Sequence, residues 1–347
     1  MAVGYRPMKP KDVPRCVENL AAHPVLGPRY GNLTEHFPSA VQPLLGRDSL
    51  HAEVFEEFQG STTIFLGAGL SALVSDDFLH ELKTIPLFWL GPELVKRIIR
   101  GDSPLLSDSA VQVANSTVGL NLVVWHCTIY PKDMIKPETG KSIMNAFEAH
   151  WRGFRLREMI AQGDCLEHVL GSRNTGAHYF HRTENRYGNF PEVTAQDFAA
   201  GPINFGLTRE IALSASHMGS WLGSLFVCGT PQFCFNRSEQ RLLSSALGGG
   251  TDEELSDELG ISVYAVKKAW RMIYDRVAEC QPGMVPSKSQ SEEWTQDRGK
   301  QKKQRLLAYL REHPEELRPV SRRLLKRESG RPAESILRQA PPDSLPT

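Results

Sequence analysis

The sequence predicts a mixed α+β protein: an α/β region over residues 1–230, an all-α unit over 231–280 and a basic helical tail. Three observations lead there. Leu120, Leu122, Val123, Val124, Trp125 and Ile129 mark a central, buried strand within residues 116–130. Residues 51–58 and 61–75, split by Gln59-Gly60, read as an antiparallel pair. Residues 235–277 instead carry three successive helix starts, with glycines closing the first two helices.

Composition sets the bounds. A chain of 347 residues allows two or three domains. Its 40 acidic and 40 basic residues cancel, so affinity for nucleic acid must come from a local patch. No run of 18 apolar residues appears, and no membrane span is expected. The N-terminus has charges but no apolar segment, so it does not read as a signal peptide. The 6 cysteines form no CxxC pair, which argues against a zinc site and fits a reducing, cytoplasmic setting.

Taken in order, a short strand up to Pro7 precedes a helix starting near Lys11. The proline-rich stretch 23–50 reads as loop with short helices. Gly67 and Gly69 in the second strand of the pair suggest a bulge or a close backbone approach. Short helices are expected over Asp76 to Leu82 and Trp89 to Arg100, and a long one over roughly Lys141 to Gln162. Thr139-Gly140-Lys141-Ser142 lacks the earlier glycine of a phosphate-binding loop, where Ile135 stands. Residues 171–206 read as a polar and aromatic loop; His178 and His181 have no third metal ligand at a telling spacing. Residues 208–214 read as helical, and Leu222 to Phe235 as a last strand or two leading directly into the all-α unit.

In that unit Asn236 caps the first helix and Glu239 closes a capping box; Thr251 and Glu254 repeat the pattern. Gly260 ends the second helix and Ser262 caps the third, whose apolar stripe is Val263, Val266, Trp270, Ile273 and Val277. This short glycine-containing connection is that of a helix-turn-helix, in which the third helix enters the DNA major groove. Ser262, Tyr264, Ala265, Lys267, Lys268 and Arg271 are the candidate DNA-binding residues. The alternative is a small bundle that binds protein.

The pattern Glu239, Leu242-Leu243, Gly249, Glu254-Leu255, Leu259-Gly260-Ile261-Ser262-Val263, Val266-Lys267-Lys268 and Ile273-Tyr274 resembles the C-terminal DNA-binding domain of LuxR-type transcriptional regulators. Ala265 stands where that family usually carries Thr, and Trp270 where it usually carries Leu. The resemblance implies a sequence-specific regulator that binds double-stranded DNA as a homodimer, with a contact to RNA polymerase as a further expectation.

The opening Arg6-Pro7 with Lys11-Asp12, followed by a hairpin at 51–74, weakly resembles a divergent Gcn5-related N-acetyltransferase fold. The nearest match to that family's pyrophosphate-binding pattern falls at Arg152, Gly153 and Arg155, with Arg155 where a small residue is usual. These three are the candidate cofactor-binding residues, and acetyl-CoA or another acyl-CoA is the cofactor the resemblance implies; an arginine-rich solvated helix face is the alternative. No catalytic residue is assigned, Glu53, His126 and Glu148 being only guesses at a general base, and the chain reads more as a binder than an enzyme. The competing reading is an acetyl-CoA-dependent N-acetyltransferase with a targeting module. Beyond 280, residues 281–297 read as a linker, 298–329 as a basic arm with Leu306, Leu307 and Leu310 on one edge, and 330–347 as a disordered tail.

Overall fold

The computed structural model describes residues 2–60, 62–84, 87–129, 136–163, 165–194, 196–199, 201–217, 219–284 and 297–329. Its architecture is mixed α+β, as expected, and is organised on one sheet of 8 strands.

The chain enters as β1 (Ala2–Pro7), then passes through α1 (Val13–Ala22), α2 (Leu26–Tyr30) and α3 (Leu33–Val41). Arg6 at the end of β1 donates to Asp12 at 2.7 Å and to Glu56 at 2.8 Å, which pins the start of α1 to the sheet. The hairpin β2 (Leu50–Gln59) and β3 (Thr62–Val74) forms as the two runs split by Gln59-Gly60 predict. Its register slips at Phe55/Glu56, so β3 carries a bulge beside Gly67. Next come α4 (Asp76–Lys83), α5 (Leu90–Arg100), α6 (Asp108–Ser116) and the central strand β4 (Leu120–Ile129).

The long helix expected to Gln162 is shorter. α7 spans Pro137–Trp151, and Leu156–Gly163 is instead β5, paired parallel to β4. Gly153 at φ 88° reverses the chain, and the following run fills the sheet rather than extending an imperfect helical stripe. The stretch 171–206, expected to be loop, takes in the end of α8 (Leu166–Asn174), the hairpin β6 (His178–His181) and β7 (Arg186–Gly188), and most of β8 (Ile203–Thr208). These strands are so short that their alternation carries little signal. The sheet order is β1-β2-β3-β4-β5-β8-β6-β7, with β8 inserted antiparallel between β5 and β6. α9 (Arg209–Ala212) follows, capped by Thr208. The strand expected at 222–235 is absent: α10 (Trp221–Ser224) and irregular backbone occupy it.

Phe233 and Phe235 then lead into the bundle of α11 (Arg237–Leu247), α12 (Asp252–Leu259) and α13 (Val263–Cys280). The basic segment does not stand apart from it. α14 (Asp297–Glu312) lays Leu306, Leu307 and Leu310 into the same core as Leu242, Leu255, Val266 and Ile273, making a fourth helix of the bundle. A 3-10 turn, Pro314–Leu317, and α15 (Arg322–Ser329) complete the chain's described part. Most of the expected linker and the whole expected tail lie outside the described residues. Among the described residues, no helix is long and apolar enough to cross a membrane.

Candidate nucleic-acid interface and the cavity of the sheet

The third bundle helix is positioned by its caps. Asn236 accepts from Glu239 N at 3.0 Å, and Glu239 returns the bond to Asn236 N at 2.8 Å. The other Glu239 oxygen accepts from Arg276 at 3.0 Å, tying the start of α11 to α13. Thr251 and Glu254 form the second box. Gly260 takes the left-handed conformation at φ 65°, which turns the chain so that Ser262 can accept from Ala265 N at 3.2 Å and start α13. Val266, Trp270, Ile273 and Val277 are buried, as the stripe predicts; Val263 is half-buried.

The opposite face of α13 is open. Lys267, Lys268 and Arg271 are exposed, and Tyr264 is 76 % exposed. Ala265 is half-buried, and Ser262 is exposed with its hydroxyl engaged in the cap. At 1.5 Å of rise per residue, Tyr264 to Arg271 spans roughly 10 Å, the length of about three base-pair steps. Trp270, where a leucine is usual, stacks on Tyr274 and lies under Lys303 of α14. Lys303 also reaches Asp252 at 3.6 Å, which partly offsets the acidic start of α12.

The bundle is fastened to the sheet domain at two places. Arg237 of α11 pairs with Asp108 at 2.6 Å and Asp48 at 3.2 Å. On the other side, the 3-10 turn is held to the bundle's entry, where Glu316 accepts from the backbone N–H groups of Gln232 and Phe233 at 2.7 and 3.0 Å. Arg318 donates to the carbonyls of Ala149 and Arg152 at 2.8 and 2.9 Å, closing the C-terminal end of α7, and its own carbonyl accepts from Gln240 of α11 at 2.7 Å.

The three candidate cofactor residues lie at this seam. Arg152 contributes a carbonyl to Arg318. A Cβ on Gly153 would stand 2.5 Å from Glu315 N. Arg155 donates its backbone N–H to Asn115 at 2.7 Å and its guanidinium to Thr117 O at 2.7 Å. None of them lines the cavity described next.

That cavity, of about 730 Å³, opens where two central strands part. β4 and β5 pair from Leu120↔Leu156 to Val124↔Ala161 and no further. The β3–β4 register slips at Leu70/Ser71, so Trp125 bulges out of β4 at the same level. The walls are mainly apolar: Leu90, Ile143, Met144, Phe147, Phe205 and Trp221 take part. Tyr30, His51, Glu53 and His126 are buried polar members of the lining, Arg29 is half-buried, and Glu167 and His168 are exposed. His51, Glu53 and Phe55 alternate along β2 onto the cavity side. His51 Nε2 lies 3.3 Å from Glu53 Oε1, while Glu53 Oε2 is sealed from solvent and accepts no hydrogen bond. Tyr30 accepts from Trp125 Nε1 at 3.0 Å, and its hydroxyl is hydrogen-bonded to His126 Nδ1 at 2.8 Å, in a direction set by the histidine tautomer. Burial raises the Tyr30 phenol well above its usual range, which keeps it protonated.

Of the three residues guessed as bases, Glu53 and His126 line the cavity and Glu148 does not. His51, Tyr30, Gln162 and Trp221 were not singled out by the sequence; only the alternation of His51, Glu53 and Phe55 carried a signal for them. His178 and His181 do not converge: His178 Nε2 meets His217 Nε2 at 2.6 Å, whereas His181 meets Asn189 O. Among the described residues no group of three metal-ligating side chains occurs. Comparison with protein-family models, curated proteins and solved structures gives no match.

Proposed function

We propose that this chain is a sequence-specific DNA-binding transcriptional regulator whose sheet domain is the sensing part. The observation that carries the reading is α13 itself: a capped helix with one buried face and Lys267, Lys268 and Arg271 exposed together on the other. Such a helix fits a major groove, where cationic side chains meet guanine edges or phosphates. Two copies presenting it would read an inverted repeat. Selection of the full chain against a pool of random duplexes, followed by anisotropy titration of the enriched sequence, tests the reading. Enrichment of a defined site, bound at least about a thousandfold tighter than the starting pool, is expected. A pool that stays random after repeated rounds, with no binding at low salt, sinks it.

A second reading, an N-acetyltransferase carrying a targeting module, is favoured by one feature. The bulge at Trp125 and the parting of β4 from β5 leave a cavity in the sheet that holds two of the residues guessed as general bases. Glu53 and His126 would be the groups in reach of a substrate proton, and acetyl-CoA the donor. Calorimetry with acetyl-CoA separates the two readings: binding with turnover of an amine acceptor favours the enzyme, and binding without turnover makes the cofactor a signal.

A further inference from the structure

His178 and His217 bring two imidazole nitrogens to one point from two fixed pieces of backbone. His178 opens β6 and pairs with Gly206 of β8, so its position is set by the sheet. His217 lies in the turn before α10, and that turn is seated on the start of β6. Leu222 N donates to Thr175 O at 3.2 Å. Gly176, at φ 96°, allows the close approach, since a Cβ there would stand 2.8 Å from Ser220 Cβ. Ser220 N in turn donates to His217 O at 2.9 Å. The two Nε2 atoms meet at 2.6 Å, with ring centroids 4.6 Å apart. Both histidines are half-buried and border a pocket of about 390 Å³ that Arg173, Asn189 and Phe190 also line.

The far nitrogen of His217 is anchored, as it is in metal-ligating histidines. Nδ1 lies 3.1 Å from Ser216 Oγ and 3.3 Å from Ser214 Oγ. Ser214 Oγ gives its own proton to Ile211 O at 2.7 Å, which leaves it an acceptor toward the ring. The tautomer in which Nδ1–H faces these hydroxyls presents Nε2 as a lone pair. A proton on His178 Nε2 then makes an N–H···N bond between the rings. Moving that proton to His178 Nδ1 frees a second lone pair at the same point, with no net proton released. Nitrogens bound to a tetrahedral ion at about 2.0–2.1 Å stand roughly 3.3 Å apart, so the rings need part by about 0.7 Å, and the pocket beside them gives room.

We propose that His178 and His217 form a zinc site. The ion takes two imidazole nitrogens from the chain, and water or an anionic solute from the pocket fills its remaining positions. Imidazole suits zinc, as it suits copper and nickel, whereas magnesium and calcium ask for oxygen ligands. Two protein ligands are fewer than the three or four of a catalytic or structural centre, so the ion exchanges with solution rather than holding the fold together. Its effect is local: it ties β6 to the turn that leads into Trp221, a wall residue of the large cavity. The site stands independently of the regulator reading.

The test uses the full chain, stripped with a chelator, and zinc chloride as the probe, read by calorimetry above the usual histidine range, at about pH 7.5. One saturable equivalent is expected. His178→Ala and His217→Ala should each weaken it at least about tenfold, and removing both hydroxyls, in Ser214→Ala with Ser216→Ala, should weaken it by about tenfold. His181→Ala and Cys280→Ser should leave it unchanged, because His181 is engaged with Asn189 O and Cys280 is an exposed thiol apart from the pair. In the unaltered chain the ring-proton resonances of His178 and His217 should shift with zinc, and the Ser220 amide should gain protection from exchange. No saturable equivalent, or one that both histidine variants leave intact, overturns the site. So does an equivalent lost in Cys280→Ser. Zinc that moves other histidine resonances and not these two overturns it as well, whatever the variants do.

Discussion

If the proposed regulator reading holds, replacing Lys267 and Lys268 together with alanine isolates the electrostatic part of DNA binding. Both side chains are exposed, and the buried face of α13 is carried by Val266, Trp270, Ile273 and Val277, so the core is untouched. Exposed substitutions of this kind shift stability by about 0.5 kcal/mol or less, and alanine favours the helix. Each phosphate neutralised by a cation contributes about 0.9 to the slope of log affinity against log salt. If both lysines meet phosphates, the slope falls by about 1.8 in the double variant. Salt rising fourfold, from about 50 to about 200 mM, would then cost the wild type about twelvefold more affinity than the variant, four raised to that power. Anisotropy titrations of one duplex at several salt concentrations measure this directly, with circular dichroism to confirm that the variant keeps its helices. Parallel log–log lines for the two proteins, at equal affinity, would refute the placement of this face against DNA.

Other perturbations test the architecture around that helix. Leu306→Ala in α14 should cost about 2–5 kcal/mol in urea unfolding, because Leu306 is fully buried in the bundle core; a free basic arm would tolerate it. Gly153→Ala should destabilise by more than about 1 kcal/mol, since the site is left-handed and the added methyl meets the Glu315 backbone; an unchanged melting temperature would show that the seam yields. Glu316 has its carboxyl raised above the usual value, chiefly by burial and against the pull of the Gln232 and Phe233 amides. A group raised on folding contributes stability that is present below its unfolded value and lost as pH rises through the folded one. The stability of wild type relative to Glu316→Gln should therefore fall as pH climbs above about 4.5, and a flat difference would count against that burial.

What the sequence made legible follows the range of the interactions involved. The caps at Asn236, Thr251 and Ser262 were readable because each is a bond between residues three apart, whatever the rest of the chain does. The hairpin β2–β3 was readable for the same reason, its partners being joined by one turn. The insertion of β8 between β5 and β6 was not, because Ile203–Thr208 acquires its strand character from β5, some forty residues earlier. The fate of α14 is a related case: three leucines on a basic helix are compatible with a solvated arm until the groove between α11 and α13 is known, and only the fold supplies that groove.

The cavity is the least local feature of all. Its lining draws on β2, on α2 and α5, and on Phe205 and Trp221, so no window of sequence contains it. Even so, the β2 part of the lining left a trace. His51, Glu53 and Phe55 put ionisable groups on the same strand face as apolar neighbours, in a strand whose both faces are largely buried. A core strand that keeps a carboxylate on its inward side is locally inconsistent with its burial, and such inconsistencies occur at functional or strained sites. Glu53 shares that condition with Asp48, Ser49 and His150, each of which also buries a polar atom without a hydrogen-bond partner, so the inconsistency points to a region of the fold rather than to one side chain.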